Sequence, residues 1–525
     1  MNKKIIDLTF FTICICLGFG NIPKILQSGI LGGPFSTKLA FYPIVFGFIY
    51  TFYCQIKYGN VFVYYKKFIL FSFIYLGFNF ICLINGFPNF LKLVSLNDGF
   101  SENLKYASVI KSFFLNNIFD FDLNRNEGIS IFLFIKYAKG IIFDYIFGFF
   151  LSYIIFCWYV NNWNKALNIA KKAVLIFSLF IIPYLFVELL YLCGSITAES
   201  ILTTINPFIF NLYGNGIWPT LLMKSGIRGV FNEPSYYGIY YAFAIPLLWY
   251  GYFSESKNKK YLYMICSFII IFFMFMTNAR TAVGVLLFEI LLLTVISIIY
   301  YKKIVKKVTI VVLSSICLFA ISSILMGNFF VYENTNDSIN SIYNKIDNNL
   351  YSLTEFEKRS NSARYPMMLA NIQLGIDNPI FGVGPYLRDP YIPEYILKFG
   401  ENSGEIKFWI DEQKRQGILK YRFPPLGEYT TKVASIGFVG LFIFLLPFVY
   451  LVYKIFYLIW ARIVIYQDDK NVIPIIFFLI SYLGTMIVGI GDTFYAFGII
   501  YILLGIGFAV IIKKVKFMNE AERMY

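Results

Sequence analysis

Long apolar runs separated by short polar clusters recur from one end of the 525-residue chain to the other. Many of these runs have about 18 or more residues, and a helix of that length crosses a hydrocarbon core of roughly 30 Å. The pattern predicts an all-α polytopic membrane protein with about twelve transmembrane helices. We place the spans at residues 5–19, 38–53, 68–85, 131–159, 173–193, 234–253, 261–276, 281–300, 308–326, 432–453, 472–490 and 493–512.

The polar segments between the runs predict how the chain is organised and which parts face outward. Lysine clusters beside short loops, such as Lys257–Lys260 and Lys513–Lys516, indicate the cytoplasmic side of the membrane. Residues 327–431 carry 11 Lys and Arg against 13 Asp and Glu, so the same rule predicts an extracytoplasmic loop. The predicted parts are residues 1–326 with the first nine spans and outer loops at 86–128 and 194–232, residues 327–431 as the large loop, and residues 432–525 with the last three spans and a cytoplasmic tail.

Composition narrows the function. A mean hydropathy of +0.66 and a charged fraction of 14% exclude an ordinary soluble enzyme. The net charge of +15 does not indicate nucleic-acid binding, because the basic residues lie in short clusters beside apolar runs. The chain has no histidine, which excludes histidine-based catalysis and histidine metal ligands. Its eight cysteines all lie in apolar runs and lack the spacing of a disulfide framework or a zinc site.

Two arginines and a glutamate lie at the same predicted membrane face. Arg228 and Glu233 precede the sixth span in the segment SGIRGVFNEPSYYG, and Arg280 opens the eighth span. Two guanidinium groups at one depth suit a diphosphate, because each planar group can bind two phosphate oxygens. The alternative is that each arginine pairs with a loop carboxylate or extends to the interface. Glu233, at a helix entry, is either a helix cap or a general base that takes a proton from a sugar hydroxyl.

The large loop adds weaker candidates for substrate binding. Arg364 lies in its first half, before the run NPIFGVGPYLRDP, which contains Gly382 and Gly384. Glycines permit close approach of the backbone to a ligand, although turn formation is the commoner reason for them. The arginine and both glycines are therefore candidates for contact with the substrate.

Two further patterns carry less information. Outer-face tyrosines, Tyr236 among them, suit stacking on sugar rings, and they equally suit an interfacial aromatic belt. The triplet Asp120-Phe121-Asp122 matches a metal-binding pattern that arises too often by chance to predict a metal. We therefore expect neither a metal nor a cofactor.

The order of these stretches resembles the O-antigen polymerase and ligase family, and within it the Wzy-type polymerases of surface polysaccharides. The resemblance rests on IRGVFNEPSYYG before one span and TNARTAVG opening a later one. It continues with SARYPMMLANIQLGIDNPIFGVGP in the large loop and PPLGEYTTKVASIGFVGLFIF leading into the next span. It covers residues 227–444, while the first five spans and the tail match only in hydropathy.

The resemblance implies a membrane glycosyltransferase of the C-type-like fold in the bacterial inner membrane, with its active site on the extracytoplasmic side. The implied reaction moves a growing O-antigen or capsule glycan from undecaprenyl diphosphate to the non-reducing end of a new lipid-linked repeat unit. By motif position, Arg228 and Arg280 take the diphosphate-binding role, and Arg364 is a further contact. The resemblance requires no metal, and it implies membrane lipids, a chain-length regulator and a flippase as partners.

One departure from the family pattern leaves the reaction open. Ligases of this family carry a histidine shortly before the span that follows the large loop, near residues 426–428, and this chain has none. The absence favours a polymerase over a ligase and leaves the general base open between Glu233 and Glu428. A lipid-linked oligosaccharide flippase is the remaining alternative. The long loop counts against it, as do spans that are nearly free of charge apart from Glu188 and Glu289.

Overall fold

The computed structural model describes residues 2–27, 36–59, 61–97, 99–101, 125–212, 217–218, 226–329, 361–400, 403–464, 472–494 and 498–522. Within these ranges the regular secondary structure is helical, as the apolar pattern predicts. The triplet at 120–122 lies outside the described residues. The α-helices are α1 Lys3–Cys16, α2 Phe41–Tyr58, α3 Lys66–Leu96, α4 Arg125–Tyr145, α5 Leu151–Tyr159, α6 Trp163–Leu192, α7 Ile196–Ile209, α8 Pro234–Ser254, α9 Lys257–Phe275, α10 Arg280–Ile299, α11 Val305–Phe329, α12 Asn361–Asp377, α13 Ile392–Gly400, α14 Gly404–Gln416, α15 Glu428–Val464, α16 Val472–Gly491 and α17 Ile499–Glu522.

Eight helical units in the described ranges are long and apolar enough to cross a membrane. They are α3, α4 with α5, α6, α9, α10, α11, α15 and α16. The four other predicted spans also form helices, namely α1, α2, α8 and α17. Helix α1 has only 14 residues and α8 contains six tyrosines, so length and composition alone do not assign them to the membrane.

The predicted loop at 86–128 is partly helical. Helix α3 continues past the predicted end of its span to Leu96, and α4 already begins at Arg125. A π-helical turn at Ile146–Phe150 joins α4 to α5, so the two form one continuous helical unit. The apolar run locates these spans, but it does not mark their ends, because a helix can extend beyond the hydrocarbon core.

Helix α8 lies at the centre of the bundle. Its residues 237–253 are buried, and α6, α9, α10 and α16 contact it on different sides. A helix that is covered all round has no polar face, which explains its almost uniformly apolar and aromatic sequence. Gly238 permits the close approach of α10, because a Cβ atom there would overlap Ala282. The segment that carries Arg228 and Glu233 therefore leads directly into an enclosed central helix.

A turn at residues 378–384 completes the backbone hydrogen bonding of a broken helix. Helix α15 is interrupted at Gly437, whose φ of 70° is left-handed. The interruption removes helical partners from nearby backbone groups, and buried backbone groups need replacements. The turn supplies two donors and one acceptor across the break. The bonds are Val383 N to Ala434 O at 2.9 Å, Gly384 N to Ser435 O at 2.9 Å and Phe438 N to Pro379 O at 2.8 Å.

The described helices of the large loop form a small core of their own. Residues from α12, α13 and α14 bury a cluster that includes Met367, Ile396 and Trp409. Helix α12 also contacts α15, which fixes this cluster against the membrane helices. We call the end of the bundle that these three helices cover the loop-facing end. Helices α8, α10 and α15 begin there, and α16 ends there.

Candidate active site at the loop-facing end

Arg228 is held in place by a buried carboxylate on α6. The two side-chain oxygens of Glu188 accept hydrogen bonds from the backbone N–H groups of Arg228 and Gly229, at 2.9 and 2.7 Å. Gly229 has a φ of 61°, which glycine adopts without steric cost. Arg228 is only 1% exposed, and its guanidinium carbon lies 4.8 Å from the centre of the Trp218 ring. That geometry is a cation–π contact.

The Glu188 carboxylate also provides charge compensation. Burial lowers the pKa of Arg228, and the nearby Glu188 carboxylate opposes this shift. Because an arginine ordinarily loses its proton only far above neutral pH, the guanidinium stays charged at neutral pH. A buried charge is tolerated when it is paired and its partner is hydrogen-bonded. Arg228 is therefore a fixed cation whose position is set by α6 as well as by its own segment.

Arg280 begins α10 beside the segment that carries Arg228. The backbone N–H of Ile227 donates to the carbonyl oxygen of Met276 at 3.0 Å. This bond joins the segment before α8 to the turn before α10. Arg280 is half-buried, in contrast to the fully buried Arg228. The two arginines thus belong to adjacent segments at the loop-facing end.

Glu233 occupies the N-cap position of α8 without capping it through its side chain. Its backbone is extended, Pro234 fills the first helical position, and the side chain makes no capping hydrogen bond. The residue is half-buried. Its carboxylate lies within electrostatic range of Arg228 and Asp492. Of the two predicted roles, the side-chain cap is therefore wrong, and the role of general base stays a prediction.

Arg364 connects the large loop to the end of α16. Its Nη1 atom donates to the carbonyl oxygen of Gly491 at 3.1 Å, where the helix dipole favours a cation. Asp492 follows directly, and its Oδ1 accepts the N–H of Thr493 at 2.8 Å. Burial raises the pKa of Asp492 to about 6, although the Thr493 N–H and the Arg364 guanidinium both favour the charged form. Asp492 thus changes charge close to neutral pH, next to Glu233.

Glu428 connects the start of α15 to the segment that follows α16. It is 4% exposed, its Oε2 accepts the N–H of Phe494 at 3.1 Å, and its Oε1 lies 3.7 Å from the Nζ of Lys432. Its backbone N–H donates to the carbonyl oxygen of Asp492 at 2.9 Å. These contacts tie the start of α15 to the segment after α16. Because its carboxylate is already engaged, Glu428 is less suited than Glu233 to accept a substrate proton.

The remaining predicted residues fall into two groups. Tyr236, in the first turn of α8, is half-buried and lies within electrostatic range of Asp492 and Glu233. Gly382 and Gly384 lie in the turn that completes α15, with φ values of 61° and 101°. A Cβ atom on Gly382 would overlap the α15 backbone. Backbone conformation and close packing therefore explain why glycine occurs at both positions, and contact of the two glycines with a substrate stays a prediction.

Two residues of this site escaped the sequence analysis as site residues. Glu188 attracted notice only as a charge within a span, and it lies 40 residues from Arg228 in the chain, so no local pattern joins them. Asp492 stands directly after the apolar run of α16. A carboxylate at the rim of a span is the signal that selected Glu233, and applied to Asp492 it would have found this residue too.

Comparison with known families yields a match to one part of the chain. Residues 265–445 match the family model described as O-antigen ligase. The match supports the O-antigen ligase and polymerase family, whose members are membrane glycosyltransferase-like enzymes of polysaccharide biosynthesis, and it does not separate the two reactions. The matched segment contains Arg280, Arg364 and Glu428. Comparison with the curated proteins yields no match to the chain.

Proposed function

We propose that this chain is a membrane glycosyltransferase that polymerises a surface polysaccharide such as O-antigen or capsule. It transfers the growing glycan from undecaprenyl diphosphate to the non-reducing end of a new lipid-linked repeat unit. One observation carries the proposal: cations and carboxylates from several helices and from the large loop meet at the loop-facing end. Arg228, Arg280 and Arg364 lie there with Glu233 and Asp492.

The arginines suit the leaving group of this reaction. In the transfer step the acceptor oxygen attacks the anomeric carbon, and the bond from that carbon to the diphosphate oxygen breaks. The electron pair leaves with the diphosphate, whose charge Arg228 and Arg280 stabilise. Donors that are already fixed in place stabilise developing charge without reorganisation. The hydrogen bonds that the N–H groups of Arg228 and Gly229 donate to Glu188 serve that purpose.

Glu233 is the residue we assign as general base. It takes the proton from the acceptor hydroxyl as the new glycosidic bond forms. A base has to reach the hydroxyl and must not be engaged elsewhere. Glu233 is half-buried and makes no capping hydrogen bond, whereas the Glu428 carboxylate binds the N–H of Phe494.

A ligase is the second candidate function. It would transfer the finished glycan from the same donor to a different acceptor. The description of the matching family model favours this alternative. Both reactions release the same diphosphate leaving group, so the residues of the diphosphate site do not distinguish them.

The test is deletion of the gene in its host, followed by gel analysis of the surface polysaccharide and of the lipid-linked intermediates. Single repeat units on the lipid carrier with no ladder are the expected result. Full-length polymer that stays on undecaprenyl diphosphate would indicate the ligase instead. Repeat units confined to the inner leaflet would indicate a flippase and contradict the proposal.

Complementation then tests the base. Glu233→Gln keeps the size of the side chain and removes its capacity to accept a proton, so it should not restore the ladder. Glu199→Gln, an exposed carboxylate in the first turn of α7, is the matched control and should restore it. A normal ladder from the Glu233→Gln variant would exclude Glu233 as the base.

A further inference from the structure

A second group of charged residues lies on the other side of Glu428. Asp144 belongs to α4 and lies inside the predicted fourth span. It is within electrostatic range of Lys432, Glu428 and Arg422. It also lies one helical turn after Gly140, against which the Tyr386 hydroxyl packs. Charged groups inside a span are costly, and they persist where they pair, contact water or serve a function. The function proposed above makes no use of this group.

Tyr386 is held in an unusual conformation at this place. It is a non-glycine residue with a φ of 68°, which a bulky side chain rarely adopts. Its ring lies directly on Gly140 of α4, where a Cβ atom would overlap the ring, and it stacks on Tyr137 with an interplanar angle of 8°. Strained backbone of this kind persists where the surroundings enforce it, and it concentrates at ligand sites. The strained backbone of Tyr386 places its phenol near the Asp144 carboxylate.

The mixture of groups suits a neutral polyol better than an anion. A carboxylate only accepts hydrogen bonds, an ammonium group only donates them, and a hydroxyl does both. Asp144 lies on α4 and Lys432 on α15, and both helices contact α3. Lys432 is also within electrostatic range of the Tyr75 hydroxyl on α3. All three polar side chains, Asp144, Tyr386 and Lys432, are half-buried rather than sealed. A sugar hydroxyl can bridge such a pair. The Tyr386 ring stacks on Tyr137 and has the Arg422 guanidinium carbon 5.9 Å from its centre, so its hydroxyl is the group that it offers to the sugar.

Glu428 links this group to the candidate active site. One of its oxygens lies 3.7 Å from Lys432, and the other accepts the N–H of Phe494, next to Asp492. A transferase with two glycan substrates needs two sites that share one reacting centre. The arginine side of Glu428 suits the diphosphate of the donor, and the Asp144 side suits the sugar of the acceptor.

We propose that Asp144, Tyr386 and Lys432 form a sugar-binding subsite for the terminal residue of the acceptor glycan. The proposal rests on the transferase function stated above. In this arrangement Asp144 and Lys432 bind adjacent hydroxyl groups of the sugar, and the Tyr386 hydroxyl binds one of them as well. The subsite orients the acceptor so that its reacting hydroxyl points past Glu428 towards Glu233.

The first experiment measures binding and does not depend on turnover. The probe is the single repeat-unit oligosaccharide released from the host's own surface polysaccharide. Its affinity for the purified full-length protein in lipid nanodiscs is measured by calorimetry. Asp144→Asn and Tyr386→Phe should each weaken binding by about tenfold or more, because each removes a hydrogen bond that involves a charged group.

The chain offers a matched control for these variants. The Tyr395 hydroxyl donates to Asp377 Oδ2 at 2.7 Å, which is a similar phenol–carboxylate pair on the exposed surface of the large loop. Tyr395→Phe should leave the affinity for the oligosaccharide unchanged. Equal affinity in the wild type, Asp144→Asn and Tyr386→Phe would overturn the subsite. Weaker binding by Asp144→Asn that is accompanied by a lower melting temperature would also overturn the subsite, if a well-folded Tyr386→Phe variant binds the oligosaccharide normally.

Steady-state transfer then separates the subsite from the proposed function. With wild-type activity present, both variants should raise the KM for the lipid-linked acceptor and leave inhibition by undecaprenyl diphosphate unchanged. An equal weakening of acceptor use and of undecaprenyl diphosphate inhibition would overturn the subsite, because it would indicate a general structural role. Absence of transfer in the wild type would contradict the transferase, and the binding result would still decide the subsite.

Discussion

At the scale of single residues, the chemistry depends on how buried charges are satisfied. Arg228 and Glu188 lie in an environment where an isolated charge is unfavourable, and each is 1% exposed. Both oxygens of the Glu188 carboxylate accept hydrogen bonds from backbone N–H groups, and its charge lies near the guanidinium. This arrangement leaves the planar donor group of Arg228 in a fixed position. Fixed position, more than charge alone, is what binding of a diphosphate requires.

The first prediction concerns the two arginines. Arg228→Lys and Arg280→Lys should each lower polymer formation by about a hundredfold or more, because a lysine keeps the charge and loses the planar two-donor geometry. The measurement is complementation of the deletion strain with protein levels checked by immunoblot. Arg415→Lys, an arginine of an exposed pair with Glu412, is the control and should behave as the wild type. Normal polymer from either lysine variant would exclude a two-arginine site.

The second prediction follows from the charge of Asp492. The folded protein raises its pKa from 3.8 to about 6, so the folded state holds the proton more tightly than the unfolded state. The carboxyl therefore costs no stability below pH 3.8, and its cost grows as the pH rises to about 6 and then stays constant. Asp492→Asn, which resembles the protonated form, should raise the melting temperature at pH 7.5 more than at pH 4.5. A difference of the opposite sign would show that the carboxylate is stabilised in the folded protein.

At the scale of elements, breaks and close contacts between helices set the geometry of the site. The interruption of α15 at Gly437 lets the turn at 378–384 insert its backbone into a membrane helix. This insertion requires the glycines of the turn. Turn formation, the commoner reason for glycine in such a run, therefore accounts for them. The turn also brings Tyr386 onto α4. A loop feature thereby positions residues on two membrane helices.

The third prediction tests that interruption. Gly437→Ala should lower the melting temperature, because alanine at a φ of 70° costs about 1–2 kcal/mol. The added Cβ would in addition lie 2.6 Å from the carbonyl carbon and oxygen of Ile380. Gly284→Ala, in the second turn of α10 with open space around its Cβ position, is the control and should be neutral or slightly stabilising. Equal melting temperatures for the two variants would contradict a structural role for the break.

The fourth prediction concerns the contact between α10 and α16. Within the described ranges, neither side-chain oxygen of Glu289 has a hydrogen-bond partner, and the residue is fully buried. Glu289→Met should raise the melting temperature, because it replaces an unsatisfied polar group by an apolar side chain of similar shape. Gly484→Ala should lower it, since the new Cβ would overlap the Glu289 carboxyl. A loss of activity in Glu289→Met without loss of stability would instead give this carboxyl a functional role.

At the scale of the whole molecule, the starts of α8, α10 and α15 meet the end of α16 beneath the loop helices. This convergence follows from the direction of the chain. Because successive membrane helices run in opposite directions, the start of one helix lies at the same face as the end of the helix before it. Charged residues at those ends then share a face, even when they lie far apart in sequence. The helices of the large loop cover the same end, and Arg364 contacts α16 there.

The fifth prediction concerns the orientation of the molecule in the membrane. A cysteine introduced at exposed Lys398, in the large loop, should react with a membrane-impermeant maleimide in intact cells. A cysteine at exposed Lys306, in the first turn of α11, should react only after the membrane is permeabilised. Both variants are made in a background in which Cys193 and Cys317, the exposed cysteines of the described part, are replaced. The reverse pattern of labelling would place the active site on the cytoplasmic side.

The sequence by itself determined the helical membrane class, the approximate positions of the spans and the residues at their rims. It did so because an apolar run of sufficient length has few alternatives to a membrane helix. It did not determine the ends of α3 and α4, since a helix that leaves the hydrocarbon core continues without any change in composition that marks the boundary. It also did not determine where the tyrosine-rich helix α8 lies in the bundle, because composition does not report on neighbours. The structure places α8 at the centre.

Only the tertiary structure decided which charges act together. The hydrogen bonds that the N–H groups of Arg228 and Gly229 donate to Glu188 join residues that are distant along the chain. So does the electrostatic interaction between Asp492 and Glu233. The same is true of Asp144 and Tyr386, whose contact depends on a turn inserted into a broken helix. Periodicity and local motifs report on one helix at a time, and pairing between helices depends on the packing of the whole bundle. The rim residues were therefore readable from the sequence, and their partners were not.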